Sequence, residues 1–60
     1  MSAVYNPQSD MMAEIERLEA DAREYRKRMD QASRADDQQV LRRQLDEIKQ
    51  SIARLQARLG

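Results

Sequence analysis

At 60 residues, 37% charged and 3% aromatic, with eleven basic side chains balancing eleven acidic ones, the chain is one small domain composed like a long helix or coiled coil. It has no Cys and no His, which excludes disulfides, thiolate metal sites, cysteine nucleophiles, a Ser-His-Asp relay and the usual zinc ligand sets. Zero net charge gives no global pull toward nucleic acid or an anionic membrane, and so short a chain buries too little apolar surface to be robust alone.

The opening "MSAVYNPQSD" lacks the basic start and apolar centre of a signal peptide, and no apolar run approaches membrane-spanning length. A cytoplasmic protein with no membrane partner is expected. Residues 1–5 are expected to form a flexible arm. In "NPQSD" Asn6 can cap a helix, Pro7 suits the first helical position, and Ser9 or Asp10 offers a later cap.

From Met11 the apolar residues are Met11, Ile15, Leu18, Ala22, Tyr25, Met29 and Ala32, spaced alternately four and three. That is the a/d rhythm of a coiled-coil helix, predicted over about 7–32. A second tract, Leu41, Leu45, Ile48, Ile52, Leu55 and Leu59, keeps the rhythm and predicts a helix over about 37–59.

Between the tracts, in "QASRADDQQV", Ala32 and Leu41 stand nine residues apart where seven would continue the register. An unbroken helix would swing its second stripe by about 160°, more than a coiled coil absorbs by local rewinding. A turn at about 33–36 is expected instead. Ser33 with Asp36, or Asp36 with Gln39, fits the pattern that caps a helix start, and Asp36 and Asp37 complement the new helix dipole. The first tract opens acidic at Asp10, Glu14, Glu16 and Glu19 and closes basic at Arg26, Lys27 and Arg28; the second closes on Arg54 and Arg58. Antiparallel pairing sets Met11 against Leu59, Ile15 against Leu55, Leu18 against Ile52, Ala22 against Ile48, Tyr25 against Leu45 and Met29 against Leu41, all centred on Ala35. Glu19 then falls near Lys49 and Glu14 near Arg58, while Arg26 near Arg42 is unfavourable.

The fold expected is all-α: an antiparallel helical hairpin, a two-helix coiled coil completed by dimerisation or by a partner. The alternative, one long helix in a coiled-coil dimer, draws on the absence of a glycine at the break.

Three features invite a functional reading. "REYRKR" gathers Arg23, Arg26, Lys27 and Arg28 around Tyr25 and could contact phosphates, but on a helix these side chains fan out and the nearby acids repel a phosphate backbone. The carboxylates Glu14, Glu16, Glu19, Asp21 and Glu24 lie around a cylinder rather than converging, with Arg17, Arg23 and Lys27 within a turn, so surface ion pairs explain them better than a cation site or an acid-base pair. Ala22 and Tyr25 depart from the Leu, Ile and Met of the seam, the small side chain making room for the large one. No catalytic residue, metal ligand or cofactor is expected. The reading is a non-enzymatic interaction protein, an adaptor, regulator or structural subunit, acting through the seam Met11, Ile15, Leu18, Ala22, Tyr25, Met29, Leu41, Leu45, Ile48, Ile52, Leu55 and Leu59. Its partner is expected to be protein, a second copy or a larger assembly. The alternative is a small RNA- or DNA-binding hairpin dimer.

Overall fold

The computed structural model describes residues 7–60; the arm expected at 1–5 and the Asn6 cap lie outside them. Two helices, α1 (Pro7–Gln31) and α2 (Ala35–Leu59), are 25 residues each and pack against one another. At about 1.5 Å per residue each is roughly 37 Å long. The three residues Ala32, Ser33 and Arg34 between them leave α2 no course but back along α1, so the hairpin is antiparallel. The long-helix alternative fails at this point.

Both interiors are free of Gly and Pro, and the apolar stripe of each gives it a face to bury. Pro7 heads α1, where its missing N–H costs no intrahelical bond. At the far end of α2 the Gly60 N–H donates to the Gln56 carbonyl at 2.9 Å and closes the helix.

The turn forms without glycine, since no described residue has a positive φ. The Ala32 N–H donates to the carbonyls of Arg28 at 2.9 Å and Met29 at 3.2 Å, a bifurcated tightening of the last turn of α1. From the far side the Gln38 side-chain amide reaches back to the Ala32 carbonyl at 2.9 Å. One side chain of α2 thus satisfies a carbonyl left over at the exit of α1.

The start of α2 departs from the sequence reading. The helix begins at Ala35 rather than 37, and its N-cap is Arg34, extended at φ −95° and ψ 136°, with no side-chain cap hydrogen bond. Ser33 therefore lies one residue outside the cap, and the Ser33/Asp36 and Asp36/Gln39 capping pairs do not frame the helix start. The reason lies in the local chemistry: the Gln38 side chain ties α2 to Ala32 of the turn, and the Gln38 N–H donates to the Arg34 carbonyl at 3.1 Å. Asp36 and Asp37 still sit in the first turn, where the dipole favours them. Arg34 reaches the Asp36 carboxylate at 3.4 Å across exposed surface.

Candidate interaction surface

In heptad terms Ile15, Ala22, Met29, Leu45, Ile52 and Leu59 are a positions, and Met11, Leu18, Tyr25, Leu41, Ile48 and Leu55 are d positions. The structure treats the two layers differently. Ile15 (8% exposed), Ala22 (5%) and Leu45 (6%) are buried, and all three are a residues. Every d residue is only half-buried, as are Met29, Ile52 and Leu59. Among the described residues no large side chain is fully enclosed.

Shallow grooves run along both faces of the hairpin. On one face, Leu18, Tyr25, Gln44, Glu47, Ile48 and Ser51 line a groove that continues past Leu18 and Ser51 into a second, lined also by Glu14, Arg17, Arg54, Leu55 and Arg58. A third, of Asp21, Glu24, Tyr25 and Arg28, adjoins it at Tyr25. These form one furrow, and its apolar floor consists of d residues. The opposite face carries two grooves floored mainly by a residues: Ile15 and Leu59 with Met12, Glu16, Glu19 and Gln56, and Ala22 and Ile52 with Glu19, Arg23, Arg26 and Lys49. Leu18 shares its groove with Ile48 on one side and Leu55 on the other, as the register centred on Ala35 requires.

Charges that the register brings together share grooves without pairing. Glu19 and Lys49 line one, Glu14 and Arg58 another, yet among the described residues no ion pair joins α1 to α2. Arg17 instead binds Glu14 one turn earlier and Asp21, at 3.3 Å, one turn later. The hydrogen bond from Arg17, opposed by desolvation and aided by the guanidinium charge, holds the Glu14 carboxyl below its ordinary value. The same bond raises Arg17.

The basic run does not act as one patch. Arg23 and Arg26 line the groove with Lys49, whereas Arg28 lines the opposite face. There Arg28 stands 5.5 Å over the Tyr25 ring and 3.7 Å from Glu24, a cation–π contact and an ion pair that use its charge locally. Lys27 is exposed and outside every groove described. Lys49, which completes the cationic groove, comes from α2 and becomes a neighbour of Arg23 only through the hairpin. Beyond the seam, Met12 and Val40 are each 54% exposed. The carboxylates among the described residues form no cluster able to hold a metal ion, and no described helix is long and apolar enough to cross a membrane.

Comparison of the chain with protein-family models, with curated proteins and with solved structures finds no match in any of the three.

Proposed function

We propose that this protein is a non-enzymatic interaction module, an adaptor, regulator or structural subunit whose helical hairpin associates with protein through its seam. One observation carries the reading: of the twelve seam residues, only Ile15, Ala22 and Leu45 are buried by the chain itself. The remaining nine retain apolar surface that a second helical surface would cover, and burial of such surface is worth roughly 25 cal/mol per Å².

Catalysis has little to work with. The grooves described are open furrows along a two-helix slab, and none of them is an enclosed cleft that would exclude water. Glu14, whose proton equilibrium is displaced, is held more acidic by Arg17, the wrong direction for a carboxylic acid meant to donate a proton near neutrality. Nucleic-acid binding has a narrower footing than protein binding. Arg23, Arg26 and Lys49 share one groove with Glu19, a weaker counterion-release drive than the roughly six or more phosphate contacts of strong binders.

The test replaces Leu45 and Ile52 together with Asp, which sets charge against both helices. Circular dichroism and sedimentation velocity should find helicity and association lost together. Unchanged helicity and unchanged mass in that double variant would refute the reading.

A further inference from the structure

We infer that the occupant of the d-layer furrow is a second copy of this chain, docked antiparallel so that the two hairpins form a closed four-helix pair. The inference rests on the interaction reading above and adds the partner, the face and the orientation. Two observations select it.

The first is the unequal burial of the layers. The buried residues Ile15, Ala22 and Leu45 are all a residues, while Leu18, Tyr25, Ile48 and Leu55 of the furrow remain half-exposed. Unfinished burial is therefore greater on the d face, where all four of these residues are half-exposed, than on the a face, where Ile52 and Leu59 are half-exposed but Ile15 and Ala22 are closed off. At the middle of that furrow stands Ser51, a small side chain shared by two grooves, which lets a second backbone approach closely.

The second is the distribution of charge along the furrow. Its half toward the chain termini holds Arg54 and Arg58, which pair with no carboxylate among the described residues, and Glu14, which Arg17 beside Leu18 neutralises. Its half toward the turn holds three carboxylates, Glu47, Asp21 and Glu24, against one arginine, Arg28. A twofold axis through Leu18 and Ser51 carries Glu47 of each copy over Arg54 of the other and Glu24 toward the end that holds Arg58, while Arg17, next to the axis, neutralises Glu14 and Asp21 within its own chain. The surface is self-complementary, which is the requirement for an isologous dimer. Arg54, Arg58 and Glu47 take part in no ion pair among the described residues, so a partner can engage these charges. Two helices about 37 Å long and together about 20 Å wide bury roughly 700 Å² per copy, close to the ~800 Å² per partner of a standard stable interface.

The test uses two charge-reversed chains, Arg54→Glu with Arg58→Glu, and Glu24→Lys with Glu47→Lys. Sedimentation equilibrium on the full chain should give a dimer, and each reversed chain alone should associate at least about tenfold more weakly, because like charges then face each other at both ends. An equimolar mixture of the two should recover the dimer, since every reversed arginine then faces a reversed carboxylate. A dimer indifferent to both reversals, or one broken instead by Glu16→Lys with Glu19→Lys on the other face, overturns the inference and leaves the interaction reading standing. A wild-type chain that stays a folded monomer as its concentration is raised also overturns it. Circular dichroism of each variant separates loss of pairing from loss of the hairpin, and recovery in the mixture excludes unfolding as the cause.

Discussion

Leu45→Ala probes the hairpin where it is most closed. Leu45 is 6% exposed, so its truncation removes three carbons from a nearly complete apolar environment, about 2.4 kcal/mol at ~0.8 kcal/mol per buried carbon. The cavity contribution is small here, because a two-helix layer has room to collapse inward. For a domain this short, 1 kcal/mol shifts the melting temperature by about 8 °C, giving an expected drop near 20 °C. Val40→Ala is the control. Val40 is 54% exposed, and the better helix propensity of Ala, worth about 0.5 kcal/mol, offsets most of the lost burial. Melts followed by circular dichroism at one fixed protein concentration compare the two, since association makes the midpoint concentration-dependent. Equal shifts for the two variants would refute the claim that Leu45 belongs to the core of this fold.

Two further outcomes follow from local chemistry. Arg34 occupies the N-cap of α2 without a side-chain cap bond, so Arg34→Ser should stabilise the hairpin by roughly 0.5–1 kcal/mol, net of the exposed Arg34–Asp36 pair; a lower urea midpoint would contradict it. The lowered Glu14 carboxyl gives stability that is present above its ordinary value of 4.5 and lost as pH falls through the depressed folded-state value. Wild type should therefore outlast Glu14→Gln at neutral pH, the difference closing in acid, and a gap that widens on acidification would reverse the assigned sign.

The hairpin is legible in the sequence because its causes are periodic. Two stripes at four-three spacing, a two-residue excess between them and a charge pattern that restarts at Asp36 each act over many residues. The entry to α2 is not, because Ser33 and Asp36 both fit the capping pattern by residue type and the helix starts at neither. Arg34 takes the cap instead, in a turn held by the reach of Gln38 back to Ala32, a bond that residue type alone does not announce. Lys49 joins Arg23 and Arg26 only across the hairpin. Heptad spacing also treats a and d alike, whereas their burial depends on how the helices are rotated about their own axes. The difference between Ile15 at 8% exposed and the half-exposed Leu18 is a product of that rotation.

Zero net charge hides a strong segregation, and the segregation limits how copies can stack. On the a face the polarity is the reverse of that on the d face: Glu16 and Glu19 lie toward the termini with Met12 and Leu59, and Arg23, Arg26 and Lys49 lie further toward the turn. A d face set on the a face of another copy would thus match its charges only with both hairpins pointing the same way. That contact is heterologous and leaves an unmatched face at each end, so it would propagate without closing. Pairing d face to d face matches the same charges antiparallel and closes after two copies. Electrostatics alone permits both arrangements. Apolar burial separates them by degree, because the a face has enclosed Ile15 and Ala22 and leaves Ile52 and Leu59 half in water, whereas the d face leaves all four of Leu18, Tyr25, Ile48 and Leu55 so. The closed pair covers that surface on both copies at once, and the open stack covers it on one side of each contact only.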